Sequence, residues 1–306
     1  MKNIAAALFA LSVCFVYVYD QSFSQEVVPL YAGKVPNSTG VKSDEILGEG
    51  DGIKFVRNVN IPSMMVYLPD TSKSVRSAVI IFPGGGYVVE AYEIEGTRIA
   101  EALVNHGVAA FVVRYRLPSS TTMVDKTIGP LQDAQQAIKV VREGARFWKI
   151  ESNKIGVMGF SAGGHLASTA GTHFDMAFIQ YEENISLRPD FMILVYPVIS
   201  MTNTLAHMGS RTFLPGEHPP DSLVELFSNE KHVSGKTPPT FLIHAEDDQT
   251  VDPENSIGFF KALRRSDVPA ELIIIPKGGH GFAASVPPEK WMQPLLSWMK
   301  DNGWMK

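Results

Sequence analysis

Between Ser77 and Phe82 the chain reads Ser-Ala-Val-Ile-Ile-Phe, a short apolar run closed by Pro83 and three glycines. So short a run, rich in β-branched residues and bounded by Pro and Gly, predicts a strand buried on both faces. From Arg98 to Asn105 the apolar residues fall instead at Ile99, Leu103 and Val104, a helical spacing that stops at Gly107. The alternation then repeats. Val108 to Val113 predicts a strand, Leu131 to Phe147 a helix, Ile155 to Met158 a strand, and Ala162 to Ala170 a helix. Phe191 to Tyr196, Thr240 to His244 and Leu272 to Ile275 supply three further strands, with helices between or after them. Buried strands alternating with covering helices predict an α/β fold: one domain with a mostly parallel central sheet and helices on both faces.

Three stretches fall outside that rhythm. An apolar run from Ile4 to Tyr19 follows Lys2 and Asn3, and Ser22-Phe23-Ser24 then places small residues around a larger one. This is the pattern of a secretory signal cut near Ser24, and the run is shorter than the roughly 20 residues that a spanning helix needs. The expectation is a signal peptide over 1–24 and no stable membrane insertion once it is removed. Residues 25–60, mixed and rich in Gly, Pro, Asn and Ser, read as an N-terminal arm or edge strands ahead of the main domain at 61–306. Within that domain, 200–239 breaks the alternation with Met, Thr, His and several prolines, as either a cap over a site or an irregular connection.

Composition narrows the function. With 306 residues, 45% hydrophobic, the chain can bury a large core. A formal charge of -5 without a long basic run argues against a nucleic-acid partner, whose phosphates demand clustered Lys and Arg. The single cysteine, Cys14, lies in the apolar leader, so a mature chain would offer no thiol nucleophile and no cysteine metal site. The expected location is outside the cytoplasm, periplasmic or secreted. The His and acidic residues show no metal-ligand spacing, and no cofactor is implied.

Chemistry is concentrated where the strand at 155–158 meets the next helix. There Gly159-Phe160-Ser161-Ala162-Gly163 forms a Gly-x-Ser-x-Gly pattern. A serine attacks only when it projects clear of the sheet and a base takes its proton. A sharp strand-to-helix turn with small neighbours provides the projection, and the helix that begins there aims free N–H groups at a developing negative charge. A bare match of this kind can also be a glycine-rich turn with a capping serine. The strand-turn-helix context distinguishes the two here. Phe82-Pro83-Gly84-Gly85-Gly86-Tyr87, after the first central strand, is the second loop such a site requires, because an oxyanion needs donors from two places.

In this architecture the order is Ser, then Asp or Glu, then His. Among eight histidines only His280, in Gly278-Gly279-His280-Gly281-Phe282, lies beyond the acidic loop that follows the strand at 240–244. That loop reads His-Ala-Glu-Asp-Asp-Gln-Thr-Val-Asp, and position alone leaves Asp247 and Asp248 level as the orienting acid, with Glu246 and Asp252 expected to be solvated.

From about Met65 onward the chain resembles the α/β-hydrolase superfamily, and within it the acetyl esterase and acetylxylan esterase-like enzymes of exported bacterial carbohydrate metabolism. The resemblance is carried by FPGGGY, IGVMGFSAGGHLAS, RPDFMILVYPVIS, PPTFLIHAEDDQTVDPENS and GGHGF, in that order. The family's acid-loop pattern, laid on His244 to Val251, selects Asp248. Pro83 stands where lipase-like relatives carry His, and since proline has no N–H the donors there must be glycine groups. The resemblance therefore implies a Ser161, Asp248 and His280 triad, with Gly85, Gly86 and Ala162 as oxyanion donors. It also implies an acylated carbohydrate as substrate. Two other readings share part of the pattern. A prolyl oligopeptidase-like peptidase has the same triad order, but its propeller domain would not fit ahead of the first central strand. A non-catalytic binding protein on a hydrolase scaffold is the other.

Overall fold

A computed structural model describes residues 26–306 except 51 and 183. The expected signal segment at 1–24, Cys14 included, lies outside the described residues. In chain order the strands are β1 (Glu26–Pro29), β2 (Ile46–Gly50), β3 (Ile53–Arg57), β4 (Ser63–Tyr67), β5 (Ala78–Phe82), β6 (Ala109–Arg114), β7 (Ile155–Phe160), β8 (Met192–Val195), β9 (Thr240–Ala245) and β10 (Ala270–Ile275). The helices are α1 (Arg98–Asn105), α2 (Gly129–Glu143), α3 (Ser161–Thr172), α4 (Met208–Phe213), α5 (Asp221–Leu226), α6 (Glu254–Arg265), α7 (Phe282–Ser285), α8 (Pro288–Trp291) and α9 (Gln293–Asp301). A π-helical turn, Glu93–Thr97, leads into α1.

Eight strands form one sheet in the order β1-β4-β6-β5-β7-β8-β9-β10. The six from β6 to β10 run parallel, while β4 and β1 are antiparallel additions at one edge. The hairpin of β2 and β3 stands apart. The chain leaves β5 toward β6 and returns on the other side as β7, so the strand order reverses at β5. A crevice opens at such a point beyond the carboxyl ends of the strands.

Period-two alternation assigns the two faces. In β5, Ala78, Ile80 and Phe82 join the core beneath α2, α3 and α6, while Val79 and Ile81 join the core beneath α1 and α9. Leu131, Ala134, Ile138 and Val141 bury the inner stripe of α2, and Leu295, Trp298 and Met299 that of α9. Each such large apolar side chain contributes about 1.5–3 kcal/mol on burial.

Two boundaries differ from the sequence reading. The second helix ends at Glu143 rather than Phe147, because Gly144 breaks it and the chain turns to lay Trp148 against Phe111. Residues 63–67 form β4, an antiparallel strand that the alternation of buried strands and helices does not announce. The arm is tied down: β1 pairs with β4, and Arg116 Nη1 donates to Pro36 O at 2.7 Å. Residues 200–239 carry α4, α5 and a short 3₁₀ turn. Asn255 anchors the start by accepting the Ile199 and Ser200 N–H groups, and Asn229 the end by donating to His165 O and Ser168 Oγ on α3. Among the described residues no helix is long and apolar enough to cross a membrane.

Candidate active site

Ser161 opens α3 directly from β7 with φ of +51°, in the left-handed region. A non-glycine residue held there costs about 1–3 kcal/mol, which the surrounding packing must sustain. The turn is tight enough that a Cβ on Gly163 would stand 2.1 Å from Phe82 O and 2.5 Å from Pro83 O, both backbone atoms that cannot step aside. The elbow and the end of β5 thus touch only because residue 163 lacks a side chain.

His280, on the loop after β10, brings Nε2 to 2.9 Å from Ser161 Oγ. Its Nδ1 lies 2.7 Å from Asp248 Oδ2. Asp248 is buried and its other oxygen accepts the N–H groups of Thr250 and Val251, each at 2.9 Å. His244 Nε2 faces Asp248 Oδ2 at 3.1 Å and Val251 O at 3.0 Å, two acceptors, so that nitrogen carries the proton; Nδ1 meets Ser256 Oγ at 2.8 Å. Burial pushes the Asp248 carboxyl up, but hydrogen bonds from His244, His280 and Val251 outweigh it and hold the group well below the usual carboxylate range. Asp247, level with Asp248 in the sequence, points elsewhere. Its Oδ1 accepts the backbone N–H groups of Gly278 and Gly279 at 2.9 and 2.8 Å, pinning the loop that carries His280. Glu246 and Asp252 are exposed.

The glycine loop lies against the serine, since a Cβ on Gly84 would sit 2.9 Å from Ser161 Cβ. Gly84 N–H is already used: it donates to Glu95 Oε2 at 2.7 Å. Gly85 and Gly86, with φ of +131° and +65°, have N–H groups that donate to no acceptor among the described residues. Ala162 N–H belongs to the first turn of α3, which has no intrahelical acceptor. The glycine loop that meets Ser161 at Gly84 and the helix turn that begins at Ser161 thus carry three N–H groups with their hydrogen-bonding capacity open.

Several supporting residues escaped the sequence reading. Glu95, buried on the π-helical turn, accepts Gly84 N–H with one oxygen and the Tyr196 hydroxyl, at 2.8 Å, with the other. Burial pushes its carboxyl up while these two bonds pull it back. Tyr196 packs edge-on against His280, with ring centroids 5.1 Å apart. His165 on α3 meets the Tyr87 hydroxyl at 2.8 Å through Nδ1 and Phe227 O at 2.8 Å through Nε2. None of these contacts has a local sequence signal. Among the described residues, no group of three or more His, Cys, Asp or Glu side chains could hold a metal ion.

A mostly parallel sheet with a serine elbow, a glycine loop and a histidine loop at its carboxyl edge defines the α/β-hydrolase fold. Within it the chain belongs to the BD-FAE family, whose model matches residues 64–263. It is 37% identical over 244 residues to an acetylxylan esterase of Xylanibacter ruminicola, covering 78% of this chain and 48% of the relative. It is 36% identical to endo-1,4-beta-xylanase B of Butyrivibrio fibrisolvens, covering 74% and 35%. The chain thus spans half or less of the length of these curated relatives. Among solved structures, an acetyl ester-xyloside bifunctional hydrolase from Caldicellulosiruptor lactoaceticus superimposes with a TM-score of 0.78 at 37% identity, covering 92% of this chain and 97% of the other.

Proposed function

We propose that this chain is a serine carboxylic ester hydrolase that deacetylates plant-type oligo- or polysaccharides through an acyl-enzyme. The observation that carries the reading is the continuous relay from Ser161 Oγ through His280 to Asp248, at 2.9 and 2.7 Å. In this mechanism His280 Nε2 takes the Ser161 proton as Oγ bonds to the ester carbonyl carbon. Asp248 keeps the imidazole in the tautomer that can accept that proton and stabilises its charged form. The carbonyl oxygen, now negative, receives the N–H groups of Gly85, Gly86 and Ala162. His280 then protonates the departing sugar oxygen, and a water activated by the same imidazole releases acetate and restores Ser161. The relatives named for acetylxylan and xyloside hydrolysis support the carbohydrate substrate. The apolar leader and its small-residue flank support action after export, in the periplasm or outside the cell.

The test is hydrolysis of p-nitrophenyl acetate, butyrate and octanoate by the purified chain, beside acetate release from acetylated xylo-oligosaccharides. Rates should fall steeply with acyl length, because an acyl site shaped for acetyl is overfilled by added methylenes. Ser161→Ala should lose several orders of magnitude on every substrate while remaining folded. Near-normal activity in that variant would remove the mechanism. A flat chain-length profile with no acetate from the glycan would leave only a general esterase.

A further inference from the structure

Beside the glycine loop stands a histidine that the relay does not use. His207 lies where the 200–239 segment enters α4. Its Nδ1 accepts the Ser210 backbone N–H at 3.2 Å and lies 2.9 Å from Ser210 Oγ. With Nδ1 serving as acceptor, the proton of the neutral ring sits on Nε2. Burial lowers the ring's pKa below its ordinary value, with His280 lowering it further and Asp248 opposing, so the ring is neutral at pH 7 and close enough to feel both residues. Nε2–H has no hydrogen-bond partner among the described residues, and the side chain is only half-buried.

The ring's position is set by its neighbours. Cε1, the atom between the two nitrogens, lies 3.8 Å from where a Cβ on Gly86 would stand, so the ring overhangs the loop proposed to hold the oxyanion. A Cβ on Gly209 would come within 2.9 Å of the same atom, so the ring fits only because residue 209 has none. A hollow of about 280 Å³ opens beside Tyr87 and Val88, which directly follow Gly86. Arg57, Ser119 and Thr122 line it, and Phe213 of α4 closes one side. The loop and the short helix that hold His207 in place are thus also walls of a mixed polar and apolar hollow.

We propose that His207 is a specificity residue whose Nε2–H donates a hydrogen bond to a sugar oxygen on the alcohol side of the bound ester, with the glycan extending toward the hollow beside Tyr87. This rests on the carbohydrate-esterase reading above. An acetyl ester has three parts to recognise. Its methyl group accepts nothing, and its carbonyl oxygen is served by the loop and elbow N–H groups. A further donor at the edge of that loop meets the alcohol, and a sugar offers acceptors there that a phenol ring does not. A site built to donate to such an oxygen discriminates against a substrate lacking it.

The experiment compares purified full-length His207→Asn and His207→Gln with the wild type, on acetylated xylo-oligosaccharides and on p-nitrophenyl acetate. Asparagine retains an acceptor for Ser210 N–H but carries no donor to the place of Nε2, whereas glutamine reaches that place. The ratio of kcat/KM for the sugar ester to that for the aryl ester should fall about tenfold in the Asn variant, the effect of one lost neutral hydrogen bond. The Gln variant should restore most of it. An unchanged ratio in His207→Asn, whether both activities hold or fall together, overturns the assignment and leaves the carbohydrate reading standing. A wild type that cleaves the aryl ester but releases no acetate from the glycan removes the carbohydrate reading, and the role of His207 with it.

Discussion

Asp247 and Asp248 are adjacent in sequence and differ in what their oxygens meet. Asp248 is buried and divides its oxygens between two imidazoles and two backbone N–H groups; Asp247 is exposed and braces the glycines ahead of His280. Asparagine at 248 would place an amide against histidine donors and favour the wrong tautomer of His280. Asp248→Asn should therefore lower kcat on p-nitrophenyl acetate by roughly 10⁴-fold. Asp247→Asn keeps a carbonyl oxygen for Gly278 and Gly279 N–H and should cost no more than about tenfold. The opposite ranking in a steady-state assay would transfer the orienting role to Asp247. Sequence position alone could not separate the two, because the separation depends on which carboxylate the end of β9 turns inward. The family pattern selected the residue that the fold places against His280.

At the scale of elements, the site is a meeting of loops, and His165 ties two of them to α3. It stands on α3, one turn beyond Ser161, and reaches the glycine loop through Tyr87 and the end of the 200–239 segment through Phe227 O. Burial lowers its imidazole to about 4, so it is neutral in the folded protein. In the unfolded chain the same imidazole titrates near its ordinary value of 6.5. Unfolding therefore takes up a proton between those values, and the contribution of His165 is complete above about pH 6.5 and declines as pH falls toward about 4. His165→Leu leaves a buried hydroxyl and a buried carbonyl without partners and should cost about 2–4 kcal/mol at pH 7. The gap between wild type and variant should narrow by about 3 kcal/mol between pH 7 and pH 4. Urea unfolding at several pH values measures both; a gap independent of pH would mean that the imidazole is not kept neutral by the fold.

Across the whole molecule, the N-terminal arm, the sheet and α2 are joined at one buried ion pair. Arg116, just beyond β6, donates to both oxygens of Asp133 on α2 and to Pro36 O in the arm, and Tyr31 of the arm donates to Asp133 as well. Both charged side chains are almost entirely out of water. Removing one partner strands the other, so Arg116→Ala should cost about 3–5 kcal/mol in urea unfolding. A paired Arg116→Met and Asp133→Leu change should recover much of that loss, because no unpaired charge then remains. If the single variant is as stable as the wild type, the pair does not fasten the arm.

The periodicity of apolar positions was sufficient for the α/β class and for the strands that are buried on both faces, because a strand with no solvent side must be apolar throughout. The strained turn at Ser161 was legible for a similar local reason: a serine at positive φ needs small residues around it, and Gly159 and Gly163 stand two positions to either side of it. β4 was not legible, since an antiparallel addition with Ser63 at its start carries no βα rhythm. Nor were Glu95 and His165, each a single polar residue whose partners lie on other elements: His165 Nε2 and Phe227 O are 62 positions apart, and Tyr196 and Glu95 are 101. His207 bonds locally to Ser210, and only the fold lays its ring over Gly86. Local sterics and burial act on neighbouring residues and leave a mark in the sequence. Hydrogen bonds between distant side chains leave none, and only the order in which the strands assemble decides which of them can form.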